Sequence, residues 1–414
     1  MQAGSKNVLM IAVEYPPCNS AGVQRTLKFS EHLPDFGWRP LVLTAAKHVY
    51  EKLDENQTVP KGVKVSRAFG LDSLKHLRIG GKYLRPTAFP DRYLMWYLPA
   101  VIKGLYLIIR YRPKVIYSSF PYYTAHWVAL TLAWLTKVPW VADYRDPSHH
   151  LYLFADGDDH ALEKEFSNPV SRWIERRTVR RASQLLFSTE NMRQHYREYY
   201  SGLVENSAVI ENGYNDSLLA SLQPGQRQDT QFILLHSGAL CMGRDPETLI
   251  EALAVVRQQV PDNKDIQRIK ICFRGAEPST ECQRLIDQHD LGGCVEFLPP
   301  VTYKESLAEM MAVDALLLMQ GSVFLFQIPG KAYEYIATQK PILALTEPDS
   351  ATGGLASSVE GCCVAGMNDV DAIVDALKTL VTLPRQNRAI EQYGRKRRSE
   401  QLANLLDSVS SARV

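Results

Sequence analysis

Four short segments of this 414-residue chain carry side chains of the kinds that hold and activate phosphorylated substrates. The first, Glu14-Tyr15-Pro16-Pro17-Cys18-Asn19-Ser20-Ala21-Gly22, follows the apolar run Asn7–Val13 and ends on a glycine that opens a helical pattern, Val23–Leu33. Glycine at that junction lets backbone approach a ligand closely, and a helix N-terminus favours an anion. The second, Asp143-Tyr144-Arg145-Asp146-Pro147, follows the strand-like Trp140–Ala142. Three charged side chains at a strand's C-terminal end are costly unless solvated or paired in a cleft. An Asp–Arg pair can orient hydroxyls and either carboxylate can act as a base; an ion-paired loop is the plainer alternative.

The third segment is Gln327-Ile328-Pro329-Gly330-Lys331-Ala332-Tyr333-Glu334-Tyr335-Ile336. Pro329-Gly330 starts a helix whose first amides are free to bind phosphate. Lys331 and Glu334 share one face at i, i+3, so a cation beside phosphates and a carboxylate reaching a ribose diol would suit a nucleoside diphosphate. The fourth, His236-Ser237-Gly238-Ala239-Leu240-Cys241-Met242-Gly243-Arg244-Asp245-Pro246, repeats the order of strand, glycine loop and helix. A guanidinium at Arg244 matches diphosphate oxygens, and Arg274-Gly275 after the next strand would line the same edge.

Other phosphate and metal motifs are missing. No GxGxxG follows the first strand, and Gly330-Lys331 runs into Ala332 rather than Ser or Thr, so neither a dehydrogenase fingerprint nor a Walker loop is present. Asp156-Gly157-Asp158 has the DxD form of a metal–nucleotide site, but its acidic surroundings read as a solvated loop. The seven Cys residues contain no CxxC, which argues against zinc and for a reduced, cytoplasmic setting with small buried thiols.

These segments need strands and helices to position them. Val8–Val13, Leu41–Thr44, Val115–Ser118, Trp140–Ala142, Leu185–Ser188 and Ala208–Ile210 read as buried strands, alternating with helical stretches such as Val23–Leu33 and Ala125–Leu135. After the polar stretch 221–229 the rhythm restarts. Phe232–His236, Ile269–Phe273, Val295–Leu298, Ala315–Met319 and Ile342–Leu345 read as strands; Pro246–Gln259, Glu281–Asp290, Tyr303–Met311, Lys331–Thr338 and Asp371–Leu380 read as helices. The expectation is an α/β chain of two doubly wound, Rossmann-like domains, 1–225 and 226–414, facing across a cleft, with a terminal helix able to pack back on the first domain.

Composition narrows the partners. Lys plus Arg number 47 against 45 Asp plus Glu, a formal charge of +2 that gives no reason to expect nucleic acid. No run reaches the roughly 18 apolar residues of a spanning helix. Trp96–Ile109, broken by Lys103, and Ala125–Leu135 read as buried helices, although Arg110, Arg112 and Lys114 after the first would also suit a membrane interface. All six Trp lie in the first 173 residues. Arg172, Arg176 and Arg180 share a helical face there that is either simply solvated or suited to an anionic membrane.

The four motifs, in this order, resemble the retaining glycosyltransferases of family 4, which have the two-domain GT-B fold. The likeness runs nearly the whole chain and is strongest at Tyr15–Arg25, Pro139–Pro147, Ile210–Tyr214 and Pro329–Leu345. It implies transfer of a sugar from a nucleotide-diphosphate donor to a saccharide or polyprenyl-linked acceptor, as in bacterial surface-polysaccharide synthesis, on the inner face of the cell membrane. No metal or other cofactor is expected. The resemblance places Gly22, Gly238, Arg244, Arg274, Gln327, Ile328, Pro329, Gly330, Lys331 and Glu334 around the donor, Glu334 on the ribose. Arg145, Asp146, Arg244 and Lys331 become the catalytic candidates, and Tyr15, Asp143, Tyr122 and His126 the acceptor side. Asn212-Gly213 matches the interdomain turn.

Three positions depart from the pattern. Phe326 stands where the family has the first of two glutamates, Ala239 replaces an arginine of the donor loop, and Ala21-Gly22 replaces a glycine pair. A nucleotide-sugar epimerase of the same fold, or a non-catalytic nucleotide-sugar-binding partner, is therefore the competing expectation.

Overall fold

Apolar strands and amphipathic helices resolve, in a computed structural model of the chain, into two parallel sheets and one small hairpin. The structure describes residues 6–20, 22–54, 57–79, 82–83, 85–148, 168–222, 231–240 and 243–412. The Asp156–Asp158 motif and most of the 221–229 stretch lie outside them. The chain forms two compact units, Met1–Glu211 with Arg395–Val414, and Asn212–Gly394.

In the first unit the strands are β1 (Lys6–Ile11), β2 (Trp38–Ala45), β3 (Lys64–Ala68), the hairpin pair β4 (Arg78–Ile79) and β5 (Lys82–Tyr83), β6 (Val115–Ser119), β7 (Trp140–Tyr144), β8 (Gln184–Phe187) and β9 (Ser207–Val209). The main sheet runs β3-β2-β1-β6-β7-β8-β9, so its order reverses between β1 and β6. All five residues of β6 and of β7 are buried, as expected for strands covered on both faces. The strand β3 is absent from the sequence expectation, because Lys-Val-Ser-Arg-Ala at a sheet edge is half polar.

The second unit holds β10 (Phe232–Ser237), β11 (Ile269–Arg274), β12 (Val295–Leu298), β13 (Ala315–Gln320), β14 (Ile342–Thr346) and β15 (Cys362–Ala365), in the order β12-β11-β10-β13-β14-β15. Alternate residues feed two cores. Leu234, Ile271, Leu317 and Leu343 pack in one, and Leu235, Cys272, Leu316 and Ile342 in the other. With apolar side chains on both faces, period-2 patterning vanishes, which is why these strands read as continuous apolar runs.

The division falls fourteen residues before the expected boundary at 225, and the reason is local packing. Tyr214 and Leu222 are buried in the second unit's core with Ile233 and Leu235, while Leu218 and Leu219 pack against it. Their short helix, Asp216–Ser221, therefore belongs with the second unit. The C-terminal helix Arg395–Ser411 buries Ser399, Leu402, Ala403, Leu406 and Val409 at helical spacing and joins the first unit. Lys6 Nζ meets Asp407 Oδ1 at 2.6 Å, and Arg398 meets Glu211 at 2.5 Å.

No helix among the described residues is long and apolar enough to cross a membrane. Cys18, Cys272, Cys282, Cys294, Cys362 and Cys363 are free thiols.

Candidate active site

The polar side chains of the second unit converge at the C-terminal ends of β10 and β13, the neighbours between which its strand order reverses. Crevices at such switch points are where doubly wound sheets take ligands. His236, the penultimate residue of β10, is wholly buried. Its Nδ1 lies 3.1 Å from the Leu317 carbonyl, which can only accept, so Nδ1 carries the proton. The bare Nε2 then accepts from Lys331 Nζ at 3.2 Å, and the same ammonium donates to the Ser237 carbonyl at 3.0 Å. Burial, reinforced by the Lys331 charge, drives the His236 pKa well below its usual value and keeps the ring a neutral acceptor.

Lys331 is placed by the helix Gly330–Ala337, whose cap residue Pro329 is extended at ψ 142° and offers no side chain to the first amides. Ala332 N–H turns back to the Pro329 carbonyl at 2.9 Å, and the positive end of the helix favours an anion. Gly238, with φ at 120°, follows β10; a Cβ there would sit 3.3 Å from Lys331 Nζ. Glycine thus meets both a backbone requirement and a close approach. Farther along this loop, Arg244 donates to Gln320 Oε1 at 2.8 Å and lies over the Phe324 ring at 4.7 Å. Glu334 is nearly buried and accepts from the Tyr303 hydroxyl at 2.5 Å. Cation, guanidinium, helix N-terminus and carboxylate thus ring one edge of a single sheet.

The first unit has its own cluster at the ends of β1, β6 and β7. Glu14 accepts from Tyr122 at 2.8 Å and from Ser20 at 2.6 Å, while Ser20 Oγ also receives the Gly22 amide at 3.0 Å. Arg145 Nη1 donates to the Gly22 carbonyl at 2.6 Å, and its Nε lies 3.6 Å from Asp146. A Cβ at Gly22 would stand 2.6 Å from both Arg145 Nη2 and Glu14 Oε2, so a larger residue there would displace the tips of these two side chains. Behind this loop lies a sealed ion pair. Asp143 is wholly buried and takes two bonds of 2.8 Å from Arg25 and one of 2.5 Å from Tyr117.

Comparison with known families places these two edges in context. Residues 21–213 match the glycosyl transferase 4-like domain, and residues 221–397 match the glycosyl transferases group 1 domain. The chain belongs to the GT-B glycosyltransferases.

Solved structures of that fold align over nearly its whole length. Sucrose-phosphate synthase from Thermosynechococcus elongatus is 16% identical with a TM-score of 0.61, covering 98% of this chain and 97% of its own. HepE from Anabaena in complex with UDP-glucose is 16% identical with a TM-score of 0.55, covering 98% of each chain. WaaG, a glycosyltransferase involved in lipopolysaccharide biosynthesis, is 13% identical with a TM-score of 0.56, again covering 98% of each. No curated protein matches the chain significantly.

Within this glycosyltransferase, Gly238, Arg244, Lys331, Gly330, Pro329 and Glu334 gather at the β10–β13 edge. Gln327 enters through backbone, its carbonyl accepting from Thr352 at 2.8 Å, and the Ile328 side chain is core rather than ligand-facing. Arg274 is corrected out of the donor set. Glu309 grips it in a two-pronged bridge of 2.8 and 2.6 Å, and the Pro299 carbonyl takes a third bond, so its charge is already compensated.

On the first unit's edge, Gly22, Arg145, Asp146 and Tyr122 come together. Tyr15, Asp143 and His126 are corrected out of the acceptor side, because all three side chains are buried. Tyr15 bonds Ser30 at 2.7 Å, and burial lifts its hydroxyl pKa to about 12. His126 bonds Ser118 at 2.8 Å, and burial lowers its pKa to about 3. Asp143 answers Arg25. Glu14, His236, Tyr303 and Gln320 stand at these edges without being candidates from the sequence. His236, Glu14 and Gln320 carry a local signal, a polar residue ending an apolar strand run, and Tyr303 carries none. Among the described residues, no group of three His, Cys, Asp or Glu is placed to hold a metal ion.

Proposed function

We propose that this glycosyltransferase moves a sugar, with retention and without a metal, from a nucleotide-diphosphate donor to a saccharide or polyprenyl-linked acceptor during surface-glycan assembly. One observation carries the reading: Lys331 Nζ is fixed by His236 and the Ser237 carbonyl beside Gly238, at the uncapped end of the helix Gly330–Ala337. A cation placed by a neutral ring and a carbonyl at a helix N-terminus is preorganised for a diphosphate. Arg244 adds a second positive charge, and Glu334 is the carboxylate for the ribose diol. HepE, solved with UDP-glucose, makes a UDP-sugar the first donor to test.

Transfer breaks the bond between C1 and the phosphate oxygen and forms one between C1 and an acceptor oxygen, with the acceptor's proton passing to the departing phosphate. Lys331, Arg244 and the helix amides stabilise the developing phosphate charge. Phe326 supplies no carboxylate at the sugar, so the burden falls on the leaving-group side. In the first unit, Arg145 and Asp146, tied to the Gly22 loop, are the groups offered to the acceptor.

A cytoplasmic enzyme seated on the membrane fits the helix Tyr97–Tyr111, whose Leu98, Ile102, Tyr106 and Ile109 are exposed. Binding to anionic vesicles that weakens with salt is the expected outcome, and no binding at low salt removes the seat.

The deciding experiment has two stages. Thermal stabilisation across a panel of nucleoside diphosphates and their sugars identifies the donor; products are then analysed with and without an acceptor extract. Transfer only with acceptor supports the proposal. Donor conversion without acceptor replaces it with an epimerase, and donor binding without any product replaces it with a non-catalytic partner.

A further inference from the structure

A cavity of about 850 Å³, lined wholly by the first unit, lies away from the edge just described. Its walls include Pro139 and Trp140 where β7 begins, Gln184 where β8 begins, and Val409 of the C-terminal helix. Arg145 follows the other end of β7. Five residues of strand, about 15 Å, therefore separate this cavity from the Gly22–Arg145 cluster. We propose that it is a second carbohydrate-binding site, built to hold an anionic oligosaccharide while the reactive end is handled at the opposite edge.

Three features of the lining carry this assignment. The first is aromatic. Trp127, Trp134 and Trp173 line the cavity, as does Trp140, so four of the chain's six tryptophans meet in one place. Trp134 is 65% exposed and Trp173 45%, a costly display of indole unless something covers it. Trp127 and Trp173 are held by ring contacts: Trp127 stacks on Tyr97 at 4.2 Å and meets Trp173 edge-on at 6.3 Å. Partly exposed indole faces suit the C–H faces of pyranose rings, which are apolar while their edges are polar.

The second feature is charge. Lys137, Arg177 and Arg181 line the cavity, and among the described residues no Asp or Glu does. Trp173, Arg177 and Arg181 are four residues apart on the helix Pro169–Arg181, so one helical face supplies an indole and two guanidiniums. Arg177 lies over the Trp173 ring at 5.6 Å, which holds it in place without neutralising it. Three cations in a concave wall without a carboxylate favour an anion.

The third feature separates saccharide from acyl chain. Thr131, Ser183 and Asn206 also line the space, distributing neutral polar groups among the indoles. Their hydroxyls are already paired in part, Thr131 with Tyr97 at 2.8 Å and the Trp127 carbonyl at 3.0 Å and Ser183 with the Trp140 amide at 3.1 Å, and each oxygen keeps capacity for a further bond that sugar hydroxyls can make and an acyl chain cannot. The volume lies within the roughly 300–1,000 Å³ of small-ligand sites. Together these observations favour a saccharide bearing carboxylate or phosphate over a lipid headgroup.

The inference rests on the site's own lining, so it can fail while the donor reading stands, and the reverse. Indole fluorescence of the full chain is titrated with an oligogalacturonate and a phosphorylated malto-oligosaccharide, against neutral malto-oligosaccharide of the same length, inorganic phosphate and anionic vesicles. Donor affinity is measured in parallel on every variant. Saturable binding of at least one charged oligosaccharide, weakened about tenfold by Trp134→Ala and by the pair Arg177→Ala and Arg181→Ala with donor affinity unchanged, supports the proposal. Equal binding of the neutral sugar, no loss in the variants, a response to phosphate or vesicles alone, or no response to any probe overturns it. Trp134 is mostly exposed, so its replacement reports on the site rather than on folding.

Discussion

The two strand-end edges use charge in opposite ways. Behind the Gly22 loop, Asp143 and Arg25 face each other wholly within the first unit, where Tyr117 and the Ile210 carbonyl satisfy further positions. At the β10–β13 edge, Lys331 rests on a neutral histidine and a carbonyl, neither of which cancels its charge. A buried pair with its partners present locks loops together; a cation placed by neutral dipoles at a helix N-terminus is positioned toward an anionic ligand. Charge in an α/β fold is thus a poor guide to a site until its counter-charge is known.

The largest test of that contrast removes the sealed partner. Asp143→Ala strands Arg25 and should cost about 3–5 kcal/mol, read by denaturant unfolding. A loss under ~1 kcal/mol would mean that the pair is not structural. Lys331→Ala should behave oppositely, lowering turnover by about 10²–10³-fold while the melting temperature hardly moves. If Lys331→Ala unfolds the protein instead, the two edges do not differ in kind.

Acid sensitivity sharpens the comparison. His126, with a pKa near 3 in the folded protein and the ordinary 6.5 unfolded, stays neutral in the native state while the unfolded chain gains a proton. Its contribution is complete above pH 6.5 and falls by about 1.4 kcal/mol per pH unit from there toward 3. His236 adds in the same direction because its pKa is also lowered. His126→Gln should flatten the stability-against-pH slope in this window, and an unchanged slope would contradict the assignment.

The smallest effect concerns Glu334. Tyr303→Phe removes the hydroxyl that orients its carboxylate and should weaken donor binding by about 1 kcal/mol, raising KM with little change in kcat. A drop in kcat alone would put Glu334 in the chemistry rather than in binding.

Much of this was legible in the chain. Continuous apolar runs ending in glycine or charge marked the central strands, and Pro329-Gly330-Lys331 marked the helix end. Edge elements were not legible. The polar strand Lys64–Ala68, Cys362–Ala365 and the helix Ala351–Ser357 with its glycine pair lack a strong local pattern. Their structure comes from pairing with, or packing on, elements remote in sequence. The same remoteness misplaced His126 and Arg274. Nothing at position 309 announces that its carboxylate will cross to the end of β11, and nothing near 126 announces total burial.

The sequence by itself determined which strand ends carry clustered charged and glycine-rich turns, because turn residues, helix starts and apolar runs are properties of neighbouring residues. Tertiary structure alone decided how each charge is compensated. It paired Asp143 with Arg25 across 118 positions and Arg274 with Glu309 across 35. It also brought Lys331 to His236 across 95, so that a cation meets a neutral ring at an edge where no local pattern could show it. Whether a charge is neutralised depends on distances of a few ångströms between residues far apart in the chain, and only the folded packing sets those distances.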